Sequence, residues 1–376
     1  MTLQSLVEAR ALAIEPANPA RVMICDDSVV IRSALARMLE SQPNITVVAK
    51  VANGEMAVAE MRRQSDASTP IDVVVLDIEM PVMDGMRALP LLLKIDPTVR
   101  IIMASTLTTR GADIALQALR LGAADYLPKP GVADIADDSF RRDLVAKIIG
   151  LARLRGARGK PAVPARPIGV ALRPLPRQTP RLLAIGSSTG GPQALFTLLQ
   201  GLGTGFPAPV VLTQHMPASF TPILAAHLNR LGGMKCAEAV DGERLVAGQI
   251  YLAPGDHHLL VQGSALGMTA RVTSDPPEHF CRPAVDPMLR TANTACDGRV
   301  LVVMLTGMGQ DGLIGTRAIV EAGGAALAQD EASSVVWGMP GAIARAGLCH
   351  QILPLPAIAA RVRDIFRPAP TRRLAS

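Results

Sequence analysis

Aromatic side chains are scarce in this 376-residue sequence: Phe, Tyr and Trp together make up 2% of it. A core built on stacked rings is excluded, so the interior must be aliphatic and drawn partly from 16 methionines. Long uncharged apolar runs are also lacking, so no transmembrane helix is expected. The opening stretch MTLQSLVEARALAIEPANPA has neither the basic start nor the apolar middle of a secretory leader. Residues 1–19 read as a loose N-terminal extension with room for a short helix. Cysteine is sparse, odd in number and scattered: Cys25, Cys236, Cys281, Cys296 and Cys349, with no C-x-x-C. That excludes a disulfide framework and a zinc site, and points to reduced thiols in the cytoplasm. Acidic residues are missing from 151–181, which holds eight arginines and lysines; with +6 overall, those eight leave −2 for the rest. The basicity belongs to one segment, which argues against a folded nucleic-acid-binding face.

What is present is an α/β alternation, and it occurs twice. At this length two or three domains are expected. Apolar runs of strand length lie at 22–25, 47–51, 73–76, 101–104 and 125–127, separated by helix-length segments at 30–40, 55–63, 85–93 and 112–121. Such alternation predicts a parallel sheet covered on both faces, with functional residues at the carboxyl ends of its strands. Asp26 and Asp27 follow the first run, Asp77 the third, Ser105 the fourth and Lys129 the fifth. Three carboxylates on one rim repel one another unless a divalent cation intervenes, and an all-oxygen set suits Mg²⁺ beside a phosphoryl group. Lys129 supplies a point charge for that group. Phosphoryl transfer onto Asp77 fits the set, whereas helix capping would explain any one aspartate singly.

The stretches CDDS at 25–28, LDIEMPVMDG at 76–85, AST at 104–106 and DYLPKP at 125–130 resemble a response-regulator receiver domain. The resemblance implies Asp77 as phosphoacceptor and Asp26, Asp27 and Asp77 around Mg²⁺. It also implies Ser105, Tyr126 and Lys129 as switch residues. The receiver is expected over 20–145. Residues 146–180, crowded with Pro, Arg and Lys, read as a semi-rigid basic linker.

From position 181 the rhythm resumes. RLLAIGSSTGGPQ at 181–193 reads as a buried strand, a tight turn and a helix with proline in its first turn. The turn fits G-x-S-x-G with Ser188 at its centre, a pattern weak by itself. The runs at 209–214 and 299–305 then deliver His215 and, after a glycine-rich turn, Asp311. A nucleophilic serine needs a base, and the base needs a carboxylate to orient it. Asp286 competes with Asp311 for the acid role, and Ser187 is the weaker nucleophile. The adjacent His257 and His258 face opposite sides of a strand and read as structural. The order Ser, His, Asp differs from that of α/β-hydrolases.

AIGSSTGGPQAL, TQHMP at 213–217, YLAPGDHHL at 251–259, CRPAVDPML and MLTGMGQDG at 304–312 resemble the catalytic domain of the chemotaxis receptor methylesterases, the CheB family. The resemblance implies Ser188 as nucleophile, His215 as base and then acid, Asp311 rather than Asp286 as orienting carboxylate, and the Thr189 and Met308 amides as oxyanion donors. Ser187 stands where the family usually has alanine. The expectation is thus an α/β chain of two doubly wound parallel-sheet domains, receiver-type and then methylesterase-type (181–368), with a tail at 369–376. Its expected activity is phosphorylation-activated hydrolysis of glutamate γ-methyl esters on chemoreceptor cytoplasmic domains, with deamidation of receptor glutamines. A chemotaxis histidine kinase would be the phosphodonor. Mg²⁺ would serve the receiver, and no cofactor the ester chemistry. The protein is expected to be a cytoplasmic monomer that binds no nucleic acid and does not enter the membrane. The unphosphorylated receiver is expected to obstruct the catalytic edge. A DNA-binding regulator would need a helix-turn-helix output, which the α/β pattern after 181 does not offer. A scaffold without chemistry would have no need of the three polar strand ends.

Overall fold

The computed structural model describes residues 19–106, 108–129, 138–157, 172–174, 178–231, 233–265 and 267–367. It divides into two compact units, 1–164 and 165–376. In the first, strands β1 (Ala20–Cys25), β2 (Ile45–Val51), β3 (Val73–Asp77), β4 (Arg100–Ser105) and β5 (Asp125–Pro128) pair in parallel, in the order β2-β1-β3-β4-β5. β3 is buried along its whole length, which its Val-Val-Val-Leu run suits because helices cover both faces of a parallel sheet. The helices are α1 (Val29–Glu40), α2 (Gly54–Asp66), α3 (Gly85–Ile95), α4 (Thr109–Arg120) and α5 (Asp138–Ala157). Four of them start where a short polar side chain accepts a first-turn N–H: Ser28, Asn53, Asp84 and Thr108.

α5 corrects the domain boundary. The expected linker start at 146 falls inside this helix, which buries Leu144, Val145, Ile148 and Leu151 at helical spacing. The surrounding Arg and Lys residues disguised that apolar stripe. Nor is the basic run all solvated. Arg155 pairs with Asp72 at 3.0 Å and Asp96 at 2.7 Å, with its side chain only 10% exposed. Arg173 donates to the carbonyl of Gly347 and so belongs to the second unit. The N-terminal extension as far as residue 18, most of the linker and the tail lie outside the described residues.

The second unit is a seven-stranded parallel sheet in the order β14-β13-β12-β6-β7-β9-β8. Its strands are β6 (Leu182–Ser187), β7 (Val210–Gln214), β8 (Lys235–Glu238), β9 (Gln249–Leu252), β12 (Val300–Met304), β13 (Ala325–Gln329) and β14 (Gln351–Leu353). An antiparallel hairpin, β10 (His258–Ser264) and β11 (Gly267–Thr273), forms a separate sheet. The helices are α6 (Gly191–Leu202), α7 (Thr221–Asn229), α8 (Val285–Ala295), α9 (Leu313–Glu321), α10 (Met339–Arg345) and α11 (Leu355–Phe366). The core beneath the hairpin, β12 and α8 is aliphatic and methionine-rich, with Met268, Met288, Met304 and Met339 all buried. The chain leaves β6 toward β7 on one side and later returns to β12 on the other. The carboxyl ends of β12, β6 and β7 therefore flank the point where strand order reverses, the usual crevice of such sheets. Among the described residues, no helix is long and apolar enough to cross a membrane. All five cysteines are free thiols.

Candidate active site and phosphoacceptor site

Ser188, His215 and Asp311 follow three neighbouring strands, β6, β7 and β12. Parallel register sets Ser187 against Gln214, so the next residues on each strand, Ser188 and His215, leave the sheet side by side. The turn at Ser188 uses its glycines in two ways. Gly190 adopts φ 75°, where a β-carbon would be strained. Gly186 has no such angle, but a β-carbon there would come within 2.8 Å of the Val285 side chain. The Ser188 N–H donates to the Thr306 carbonyl at 3.0 Å, tying the turn to the end of β12.

The two serines separate cleanly. Ser187 is fully buried and donates to Gln214 Oε1 at 2.7 Å. The Gln214 amide nitrogen then donates to the carbonyls of Ser188 (2.9 Å) and His215 (3.0 Å). Ser187 thus belongs to a rivet beneath the turn, and Gln214, inside the TQHMP stretch, is a positioning residue that sequence reasoning passed over. Ser188 is half-buried, and its hydroxyl makes no hydrogen bond to a described residue.

His215 Nε2 lies 2.8 Å from Asp311 Oδ2. Burial opposes a charge on the imidazole, but the Asp311 hydrogen bond and the Cys281 thiol outweigh it and push His215 up to about 10. Asp311 is held below the usual carboxylate range: burial works against its charge, and His215 with two backbone donors prevails. Those donors are the Val285 and Asp286 amides at 2.6 and 2.9 Å. Asp311 therefore caps α8, not the α9 helix that follows it in sequence. Asp286, fully buried on α8, returns the favour by accepting from the α9 amide of Gly315 at 2.7 Å. It also takes His279 Nε2 at 2.9 Å. So Asp286 is a neighbour of the His215–Asp311 pair and, among the described residues, makes no hydrogen bond or ion pair with His215.

With Nε2 committed to Asp311, the free lone pair of a neutral His215 ring is on Nδ1, and Cys281 Sγ faces it at 3.5 Å. Cys281 opens the CRPAVDPML stretch, but no spacing ties it to the base, because it lies in an irregular segment and not at a strand end. Thr189 is buried and accepts from Thr306 Oγ1 through its carbonyl at 2.8 Å. The Met308 N–H makes no hydrogen bond to a described residue. His258 is buried between the Pro276 carbonyl and the Ala284 amide, while His257 turns to the Gly255 carbonyl.

In the first unit, one oxygen each from Asp26, Asp27 and Asp77 lies within 4.8 Å of the others, a hard all-oxygen set that fits Mg²⁺. Lys129 Nζ sits 2.5 Å from Asp77 Oδ2 and 3.4 Å from Asp26 Oδ2. Burial raises Asp77 to about 6 despite that lysine. Ser105 is buried at the end of β4, its hydroxyl turned to the Thr106 carbonyl at 3.2 Å. Tyr126 is buried, with Lys147 Nζ 5.3 Å from its ring centroid. Lys147 also meets Asp125 at 3.0 Å and Asp143 at 3.6 Å, and these outweigh its burial and hold it protonated. Lys147 falls within the stretch whose composition reads as linker, so nothing in the sequence pattern announces its part in this network.

A phosphoacceptor-type aspartate rim on one doubly wound sheet, and a Ser, His and Asp set at the switch point of another, define a class: a response regulator whose output unit is a hydrolase on a doubly wound parallel sheet. Residues 22–137 match the response regulator receiver domain model, and 183–362 match the CheB methylesterase model. A relative from Rhodospirillum centenum, named as a protein-glutamate methylesterase/protein-glutamine glutaminase of group 2 operon, is 52% identical over 377 residues, covering 93% of this chain and 94% of its own. Another from Azospirillum brasilense, named as a protein-glutamate methylesterase/protein-glutamine glutaminase, is 53% identical over 92% of both chains. The crystal structure of the Thermotoga maritima CheB methylesterase catalytic domain is 35% identical, covers 50% of this chain and all of its own, and superposes with a TM-score of 0.49. The chain belongs to the CheB methylesterase family.

Proposed function

We propose that this protein hydrolyses glutamate γ-methyl esters on the cytoplasmic domains of chemoreceptors, deamidates receptor glutamines with the same groups, and is switched on by phosphorylation of Asp77. The observation that carries the ester chemistry is the 2.8 Å His215 Nε2–Asp311 contact, which leaves Nδ1 as the base nitrogen beside the Ser188 strand end.

Ser188 Oγ attacks the ester carbonyl carbon while His215 Nδ1 takes its proton. Apo catalytic hydrogen bonds commonly tighten only when substrate binds, so the hydroxyl displaces the Cys281 thiol from Nδ1 at that stage. Asp311 balances the imidazolium that forms. Negative charge gathers on the former carbonyl oxygen, where the Thr189 and Met308 amides are the donors. The proton on Nδ1 passes to the methoxy oxygen, the C–O bond breaks and methanol leaves. Water then gives a proton to Nδ1 and attacks the acyl carbon, and that proton passes to Ser188 Oγ as the acyl C–O bond breaks, freeing glutamate and restoring the Ser188 hydroxyl. With a glutamine substrate the leaving group is ammonia.

In the receiver, Asp26, Asp27 and Asp77 would hold Mg²⁺, which neutralises charge on the incoming phosphoryl group. An Asp77 oxygen bonds to phosphorus as the phosphohistidine P–N bond of the kinase breaks. Lys129 balances the new phosphoryl charge, and Ser105 turns its hydroxyl from Thr106 toward it, with Tyr126 following. An acyl-enzyme trap tests the ester half. Quenching receptor turnover in acid and mapping the acylated peptide should place the adduct on Ser188; an adduct on Ser187 or Cys281 would overturn the assignment.

A further inference from the structure

Residues 278–281 form a tight turn closed at both ends: the Glu278 N–H donates to the Cys281 carbonyl at 3.1 Å, and the Cys281 N–H to the Glu278 carbonyl at 2.8 Å. Both central residues, His279 (φ 52°) and Phe280 (φ 61°), are left-handed. Turns of this kind favour Asn, Asp and Gly, because a side chain bearing a β-carbon is strained there. Three of the four side chains are tied down. Glu278 pairs with Arg290 on α8 through contacts of 2.5 and 2.8 Å. His279 holds Asp286 at 2.9 Å, and Cys281 faces His215 Nδ1 at 3.5 Å. Phe280 alone points away, and it is 102% exposed.

An isolated apolar side chain on a surface ordinarily needs no explanation. This one differs: it is one of only six phenylalanines in an aromatic-poor chain, it sits at a strained backbone position, and it adjoins a residue touching the base. A second exposed apolar side chain, Ile314, precedes Gly315, whose amide is bound to the Asp286 that His279 also holds. The network around His215 and Asp311 thus runs through the chain neighbours of both exposed apolar residues.

We propose that Phe280 is a substrate-anchoring residue: it docks on apolar surface of the receptor's cytoplasmic domain next to the esterified glutamate and so presents that ester to Ser188. This rests on the methylesterase reading and adds how a protein substrate is told from a small ester. The strained turn keeps the ring aimed outward before substrate arrives, so little ordering is needed on binding. An anchor of this kind contributes binding that is equal in the ground and transition states, and its loss raises KM without lowering kcat.

The test uses the full-length protein with two substrates, methylated receptor in native membranes and an N-acyl glutamate γ-methyl ester. For Phe280→Ala the expected result is a receptor KM higher by about tenfold or more, an anchor-sized loss, with receptor kcat and both small-ester constants unchanged. Phe280→Leu should recover most of the receptor KM. Phe280→Gly, which removes the strain together with the ring, should raise the thermal midpoint while keeping the high KM. An unchanged receptor KM in Phe280→Ala would overturn the proposal, as would equal losses on both substrates. So would a wild-type dimer by gel filtration that Phe280→Ala converts to monomer without altering receptor kinetics. A wild-type enzyme that turns over the small ester but no receptor would overturn the substrate reading and this proposal together.

Discussion

His215 Nδ1 is the atom on which the proposed chemistry turns, and its surroundings give residue-scale predictions. Ser188→Ala should lower kcat by at least about 10³-fold, the scale of losing a triad nucleophile. The buried neighbour behaves differently: Ser187→Ala leaves the Gln214 amide bonded to two carbonyls, so kcat should stay within about threefold, the range of a sub-kcal/mol effect. Cys281 and Asp311 both hold the imidazole well above its ordinary value of 6.5. The base is competent only when neutral, so the acid limb of the kcat/KM profile should lie on the alkaline side of 6.5. Cys281→Ala removes one of the two groups favouring the cation, and its limb should move to lower pH. A limb that stayed put in that variant would mean Cys281 does not sense Nδ1. The same shift bears on stability. A folded pKa raised from 6.5 to about 10 contributes fully below 6.5, and the contribution fades as pH climbs toward 10.

At the scale of elements, α8 and α9 cap one another across the sheet edge. Asp311 before α9 takes two α8 amides, and Asp286 on α8 takes an α9 amide. A capping carboxylate contributes about 1 kcal/mol, more when buried. Asp286→Asn should therefore lower stability by about 1–2 kcal/mol in urea unfolding, with kcat falling far less than in Asp311→Asn, where a loss of about 10⁴-fold is expected. Equal kinetic losses would return Asp286 to the acid role. This reciprocity also shows what could be read from the chain alone. The ends of β6, β7 and β12 were legible because fully buried parallel strands leave largely apolar runs; Ser188 and His215 follow theirs directly, and Asp311 follows after a glycine-rich turn. The segment between β11 and α8 was not, since its order comes from single polar contacts such as His279–Asp286 and Cys281–His215, which no periodicity announces. The direction of the Asp311 cap was hidden for the same reason: its partner amides lie about 25 residues earlier in the chain.

For the whole molecule, the boundary between units was misplaced because α5 hides an apolar stripe among basic residues, and composition outweighed periodicity there. Arg155 makes the consequence measurable. Arg155→Ala leaves Asp72 and Asp96 without their part-buried cation and should destabilise the first unit by about 3 kcal/mol, read from that unit's own thermal transition. In the proposed scheme Asp77 links that unit to control. Its carboxyl, raised from 3.8 to about 6 chiefly by burial, costs stability when ionised, so the first unit should gain stability as pH falls from 7 through 6. Asp77→Asn should raise the thermal midpoint of the first unit while abolishing any response to phosphodonor. If the receiver restrains the output unit, a chain lacking residues 1–180 should exceed the unphosphorylated full-length enzyme in rate; an equal or lower rate would exclude restraint. The central claim, a Ser188 esterase governed through Asp77, is tested most directly by methanol release from methylated receptor membranes, with and without a small phosphodonor and Mg²⁺. The account predicts release by wild type that rises with phosphodonor, release by Asp77→Asn that does not rise, and none by Ser188→Ala. Release that persisted in Ser188→Ala would contradict it.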